Sequence, residues 1–212
     1  MSILNKLASA LHRKDEEPNL ELAQTIASDE NKEAIQELVD NLHNKKKDIQ
    51  SDCIKVLYEI GAIKPAIIAE YDKEFLELLE HKNNRLVWGA MTALDSITME
   101  NPRLLYSELP KIIEAANKGS VIVRDHAVGI LIKLCSLEAY ADQVFPQLIE
   151  QLKDCPTNQL PMYAENASPI VGEKYTVLFT ETLLNRLIEI EKDSKRKRVE
   201  KVINAILKKK KS

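Results

Sequence analysis

The sequence has few of the residues that form tight turns or β-strands. Its 212 residues include 5 glycines, 8 prolines and only 5% aromatic side chains. β-Sandwiches and barrels need frequent glycine and proline turns between strands rich in β-branched and aromatic residues, so this composition argues against them. Hydrophobic residues make up 44% of the chain and charged residues 30%, which is enough apolar material for a continuous core. The composition predicts a soluble, all-α protein.

Cysteines and long apolar runs are also scarce. The three cysteines, Cys53, Cys135 and Cys155, are an odd number without CxxC spacing, so we expect buried free thiols in a reducing compartment. No apolar run approaches the roughly 20 residues of a membrane span. The N-terminal helical pattern is interrupted by Asn5 and Lys6, unlike the apolar core of a signal peptide. These features predict a cytoplasmic protein without a membrane span.

Motifs for catalysis and metal binding are missing. The four histidines are far apart and form neither HExxH nor Cys/His ligand spacing. The chain has no GxGxxG or Walker lysine loop, and its five glycines are scattered. We therefore expect no cofactor, no metal and no enzymatic activity.

Positive charge is concentrated at the C-terminus. Residues 192–212 contain ten Lys/Arg and two Asp/Glu, a net charge of +8, and the net charge of −3 for the whole chain leaves −11 for residues 1–191. The basic runs Lys195–Arg198 and Lys208–Lys211 are compatible with binding to nucleic acid or to a membrane surface. A solvated capping helix, with lysines near the negative end of its dipole, is the favoured interpretation.

An apolar framework recurs three times with a step of 37 residues. In the stretch Ser120–Cys135 it comprises Val123, Ala127, Leu131 and Leu134. The earlier copies are Leu86, Ala90, Leu94 and Ile97, and Ile49, Cys53, Leu57 and Ile60. Each copy is the second helix (B) of a pair. Four A helices, of which three precede these copies and one follows the last, share one register of their own. The spacing predicts about four stacked A/B helix pairs.

This pattern divides the single predicted domain into four segments. Residues 1–30 are expected to form N-terminal cap helices, and residues 31–153 the regular repeats. Residues 154–172 contain three prolines and are expected to be an insertion loop. Residues 173–212 are expected to supply the last helices and the basic tail.

The string Val-Arg-x-x-Ala-x-x-x-Leu-x-x-Leu at Val123–Leu134 resembles the HEAT/armadillo repeat. The match weakens in the two earlier copies, where Gln50 and Val87 stand in place of Arg124. The resemblance implies a right-handed α-α superhelix with the B helices on its concave side. It also implies that a binding or scaffolding role is commoner than catalysis.

The residues opposite the framework on each B helix define what we call the B-helix strip. At about 100° per residue, they lie 2, 6, 9 and 13 positions after the first framework residue. They are Ser51, Lys55, Tyr58 and Ala62; Trp88, Thr92, Asp95 and Met99; and Asp125, Gly129, Ile132 and Ser136. Aromatic anchors rimmed by carboxylates suit a protein or peptide partner that carries basic residues. The predicted contacts are Tyr58, Trp88, Asp95, Met99, Asp125 and Ile132, although Trp88 packing against a neighbouring helix is an equally simple explanation.

The expected loop at residues 154–172 is the second candidate. Long loops within compact domains are often functional, and this one contains Met162, Tyr163, Glu165 and Asn166. We expect these four residues either to contribute to a partner site or to form an ordered flap.

A different class of function is the alternative. The chain is similar in size and helical pattern to the HEAT-like DNA alkylation-repair glycosylases. That resemblance implies nucleic-acid binding, with Trp88 and Asp95 or Asp125 as the concave aromatic and acidic residues. The acidic character of the predicted strip argues against it, because a groove that faces DNA needs Lys and Arg.

Overall fold

The computed structural model describes residues 2–209, which form twelve α-helices and no β-strand. The all-α architecture expected from the composition is therefore confirmed. The chain divides into two compact units, one ending at Ala127 and the other beginning at Val128. We describe each unit by itself.

The first unit contains seven helices and the start of an eighth. They are α1 (Glu17–Asp29), α2 (Lys32–Asp40), α3 (Lys47–Ile63), α4 (Asp72–Leu78), α5 (Asn84–Ile97), α6 (Pro102–Ser107), α7 (Leu109–Lys118) and α8 (Val121–Cys135), which contains the boundary between the units. Side-chain capping determines where some of these helices begin. The Asn31 side chain accepts a hydrogen bond from the Ala34 amide and caps α2, and Asn83 caps α5 in the same way.

The B helices of the first unit stack in a row. Helix α3 packs between α1 and α5, while α2 packs on α3 and α4 packs on α5. The predicted framework forms the interior: Leu86, Ala90, Leu94 and Ile97 are fully buried, as are Cys53, Leu57 and Ile60. The 37-residue step therefore corresponds to one helix pair.

Two helices predicted in the first unit have different bounds or types in the structure. The expected cap helix over residues 2–12 is only a 3-10 helix, Ile3–Lys6. The third A helix is divided into α6 and α7 at Glu108, and Pro110 lies in the first turn of α7. A proline is well tolerated there because the first amides of a helix have no intrahelical acceptor.

The second unit contains the remainder of α8 and four further helices. They are α9 (Glu138–Asp154), α10 (Leu160–Ala167), α11 (Glu173–Leu187) and α12 (Asp193–Lys209). Helix α12 packs on both α10 and α11, and α11 packs on α9. This is the arrangement of two A/B pairs, with α9 and α11 as A helices and α10 and α12 as B helices.

The insertion loop expected at residues 154–172 is corrected by the structure. Helix α10 occupies the middle of this segment, followed by a 3-10 turn over Ser168–Ile170. Pro161 lies in the first turn of α10, where it does not interrupt the helix. Leu160 and Ala164, both fully buried, follow Val123 and Ala127 by 37 residues. The register thus continues through α10 and leaves α11 and α12 as a fifth pair.

An arginine closes the end of helix α9. The Arg186 guanidinium, 8% exposed, donates to the carbonyl oxygens of Leu152 at 2.7 Å and Cys155 at 2.9 Å, and also to that of Lys153. These carbonyls belong to the last turn of a helix and its exit, where backbone acceptors lack intrahelical partners. Arg186 therefore acts as a side-chain cap on the neighbouring helix.

Candidate binding surface

The stacked helices α3 and α5 bring the first two rows of the B-helix strip together. The rings of Tyr58 and Trp88 contact each other, with centroids 5.6 Å apart and planes inclined by 50°. Trp88 is half-buried, whereas Tyr58 is only 8% exposed. Trp88 is therefore partly accessible to solvent, whereas its aromatic neighbour Tyr58 is buried.

Lys55 completes this aromatic centre and is held by two carboxylates. Its ammonium lies 4.9 Å from the Tyr58 ring centroid, 3.0 Å from Glu16 and 2.7 Å from Glu59. Burial by itself lowers the pKa of Lys55, but hydrogen bonds to Glu59, Tyr58 and Glu16 raise it above its ordinary value overall. Burial raises the pKa of the Tyr58 phenol. Lys55 thus stays protonated, and the negative charge of the two glutamates exceeds its positive charge.

Asp95 lies one step further along helix α5 and contacts a histidine from helix α8. The distance from Asp95 Oδ2 to His126 Nδ1 is 2.8 Å, and both side chains are partly buried. Asp125, the next strip position, precedes His126 and is half-buried. Met99 lies just beyond the end of α5 and is 49% exposed. The strip of the first unit therefore combines one half-exposed indole with carboxylates.

The remaining predicted contacts lie in the second unit. Ile132 is half-buried on helix α8. Tyr163 is only 1% exposed, so a partner cannot reach it, and its predicted contact is corrected to a core role. Glu165 is exposed and forms a two-fold ion pair with Arg198, at 2.8 and 2.5 Å. Asn166 is exposed and Met162 is half-buried.

The 37-residue register accounts for the positions of Met162 and Asn166 better than the expected insertion loop did. With Leu160 as the first framework position of α10, Met162 and Asn166 lie 2 and 6 positions further on. These are the strip positions that Trp88 and Thr92 occupy on α5. Met162 and Asn166 therefore occupy the strip positions of helix α10 within the second unit, and no separate flap is needed to account for them.

Most cations of helix α12 have acceptors within the second unit. Arg198 pairs with Glu165, Lys197 lies 3.2 Å from Asp193, and Lys195 donates to Asn158 at 2.5 Å. In the run Lys208–Lys211, residues 210–212 and the Lys209 side chain lie outside the described residues. The part of the basic segment that is described is engaged mainly in local contacts.

Sequence reasoning missed two residues that contact the candidate surface, Glu16 at Lys55 and His126 at Asp95. Glu16 precedes helix α1 and lies outside the 37-residue register, so no spacing signal connects it to Lys55. His126 occupies a position between strip residues, and only the packing of α8 brings it to Asp95. Within residues 2–209 no group of His, Cys, Asp or Glu side chains is arranged to hold a metal ion. The same residues contain no helix that could span a membrane.

Solved structures share the fold over nearly the whole chain. An engineered protein matches with a TM-score of 0.66 and 16% identity, covering 98% of each chain. A second engineered protein matches with a TM-score of 0.64 and 22% identity, covering 97% of this chain and 99% of its own. A designed armadillo repeat protein, solved in complex with the peptide (KR)4, matches with a TM-score of 0.66 and 14% identity, covering 96% and 98%. The armadillo-type repeat expected from Val123–Leu134 is thereby confirmed.

No curated protein sequence matches the chain. A family model does, however: the model for sister chromatid cohesion protein PDS5 aligns with residues 21–209, which include most of helix α1 and all of helices α2 to α12. Helical repeats of this type serve as protein-binding scaffolds. The chain belongs to the PDS5 family of HEAT-like helical-repeat proteins.

Proposed function

We propose that this chain is a non-enzymatic interaction module that binds a basic segment of a partner protein along the B-helix strip of its first unit. The observation that carries the proposal is the half-exposed Trp88, supported by Tyr58 and followed along the strip by Asp95 and Asp125. Tryptophan is among the commonest residues that dominate binding energy at protein interfaces. Carboxylates beside it favour lysine- or arginine-bearing ligands.

The charge of the region supports a basic ligand. Residues 1–127 contain 16 Lys/Arg and 22 Asp/Glu, a net charge of −6. Lys55, the cation at the aromatic centre, is neutralised by Glu16 and Glu59. The designed armadillo protein with the same fold was solved with a peptide of alternating lysine and arginine. The glycosylase alternative is not favoured, since phosphate would meet carboxylates here.

The test uses Trp88 as the reporter, because it is the single tryptophan of the chain. Titration with (KR)4 is expected to change its fluorescence to saturation, and added salt is expected to weaken the binding. The double variant Asp95→Asn/Asp125→Asn is expected to bind roughly tenfold more weakly, since a hydrogen bond to a charged group is worth about 1.5 kcal/mol.

The matched control is Asp29→Asn/Glu33→Gln, which also removes two carboxylates, both exposed, from helices α1 and α2. It is expected to retain the affinity of the unmodified chain. Equal affinities of the two variants for (KR)4 would reject the strip as the site.

A further inference from the structure

A cationic groove lies at the turns between A and B helices, at the entrance to helices α3 and α5. Its volume is about 830 Å³, and its lining contains three lysines, Lys45, Lys47 and Lys82, and one carboxylate, Glu80, besides His43, Gln50 and His81. A second cavity of about 420 Å³ shares His81 and continues to Lys111 and Lys118. We call the first cavity the turn groove. All of its lining residues belong to the first unit.

Lysines occupy positions at the start of helix α3 where lysine is unfavourable. Helix α3 begins at Lys47, its N-cap is Lys46, and no side chain caps its first amides. Lysine is a poor N-cap, and the N-terminus of a helix carries partial positive charge that repels nearby cations. Helix α5, by contrast, begins after Asn83, whose side chain accepts from the Arg85 amide. Asp48 in the first turn of α3 offsets part of this repulsion, and a bound anion would offset more of it.

These lysines also lack the carboxylate partners found elsewhere in the unit. Across the second cavity, Lys111 lies 3.6 Å from Glu80, and Lys118 lies 2.5 Å from Glu114. Within residues 2–209, no carboxylate lies within ion-pairing distance of Lys45, Lys47 or Lys82. This cationic cluster persists in a unit whose net charge is −6. The positive charge of the groove is therefore available to a ligand.

We propose that the turn groove binds an acidic segment of a protein, with its Asp or Glu carboxylates contacting Lys45, Lys47 and Lys82. The side-chain amide of Gln50 supplies both a donor and an acceptor, which matches the needs of a peptide backbone. Nucleic acid fits less well. The groove lining contains no Phe, Tyr or Trp ring for base stacking and no arginine for bidentate phosphate contact.

This surface is distinct in place and in charge from the B-helix strip. The strip presents Trp88 and carboxylates to a basic ligand, whereas the turn groove presents lysines at the helix starts to an acidic one. Neither proposal depends on the other. The double variant Asp95→Asn/Asp125→Asn is accordingly expected to leave binding at the turn groove intact.

The test is a fluorescence-anisotropy titration of the full chain with a labelled octapeptide of alternating Asp and Glu. A labelled Gln/Asn octapeptide and a short DNA duplex are the comparison probes. The unmodified chain is expected to bind the acidic peptide most tightly of the three at low ionic strength. The variant Lys45→Gln/Lys47→Gln/Lys82→Gln is expected to lose at least about tenfold in affinity, because it removes the charge-assisted hydrogen bonds of the site.

A matched variant separates the groove from overall charge. Lys14→Gln/Lys32→Gln/Lys73→Gln removes three exposed lysines elsewhere on the same unit, so both variants have the same net charge. The matched variant is expected to retain affinity within about twofold, as distant surface charges act weakly through screening. The groove variant is expected to melt at the same temperature or higher than the unmodified chain, because its helix start is relieved of repulsion. Equal losses in both variants, or tighter binding of the DNA duplex than of the acidic peptide, would overturn the proposal.

Discussion

Helices α5 and α10 occupy the same place in their repeats but differ in almost everything outside the framework. Leu86 and Ala90 on α5 correspond to Leu160 and Ala164 on α10, and all four are fully buried. Yet α5 has 14 residues and α10 has 8. The shared framework positions therefore do not determine the length of a B helix.

The two helices also differ at the position between these framework residues. Gly89 on α5 corresponds to Tyr163 on α10, and both are buried. A Cβ at Gly89 would lie 2.6 Å from Cγ1 of Ile54, so α3 approaches α5 too closely for a side chain there. In α10 a whole phenol ring is buried at the equivalent position. The same register thus accommodates opposite side-chain sizes, according to the space that each unit provides.

The preceding A helices end in different ways as well. Residues 79–83 connect α4 to α5 and residues 155–159 connect α9 to α10, so the two connections have the same length. In the first connection the local residue Asn83 caps the start of α5. At the second, Arg186 from helix α11 donates hydrogen bonds to the carbonyls at the end of α9, so a long-range side-chain contact is added there.

The largest effect is expected from truncating the shared framework. Leu86→Ala and Leu160→Ala should each lower the free energy of unfolding by about 2–5 kcal/mol, because each removes a fully buried side chain and leaves a cavity. Urea denaturation followed by circular dichroism measures the loss. Leu184→Ala, at a residue that is 48% exposed, is the control and should change stability by less than about 0.5 kcal/mol. If Leu160→Ala cost as little as the control, the equivalence of α5 and α10 would be refuted.

A somewhat smaller effect is expected at the cap of helix α9. Arg186→Met keeps most of the side-chain volume but leaves the carbonyls of Leu152 and Cys155 without their donor, and it should cost about 2–3 kcal/mol. Thermal and urea denaturation measure the change. Arg198→Met removes a surface ion pair with Glu165 and should cost less than about 1 kcal/mol. Similar costs for the two substitutions would show that Arg186 does not act as a cap.

The smallest effect of the three is expected where α3 and α5 approach most closely. Gly89→Ala should destabilise the first unit by about 1–2 kcal/mol, because the strain against Ile54 exceeds the gain in helix propensity. In an Ile54→Ala background the same substitution should be neutral or stabilising, and this double-mutant cycle isolates the contact. Gly172→Ala, where a Cβ meets nothing within 4 Å, is the control. A destabilisation that persisted without Ile54 would assign the requirement for glycine to another neighbour.

Periodicity predicted much of the fold, because burial of a helix face depends on residue spacing along one helix. It located the buried framework of α3, α5 and α8, and it placed Tyr58 and Trp88 on one surface. It failed at residues 154–172, where three prolines obscured the continuing register. A proline opposes a helix only in its interior, and Pro161 lies in the first turn of α10.

The sequence alone determined the 37-residue framework, the all-helical composition and the identity of the strip residues. Each of these follows from local spacing and helix preference. The tertiary structure decided which charges meet. Three such contacts join residues that lie 31 to 39 positions apart in sequence. They are the contacts of Lys55 with Glu16, of Asp95 with His126, and of Arg186 with the carbonyls at the end of α9. Such pairings depend on how closely helices approach, and that distance is set by the side chains of two helices together rather than by the pattern of either one.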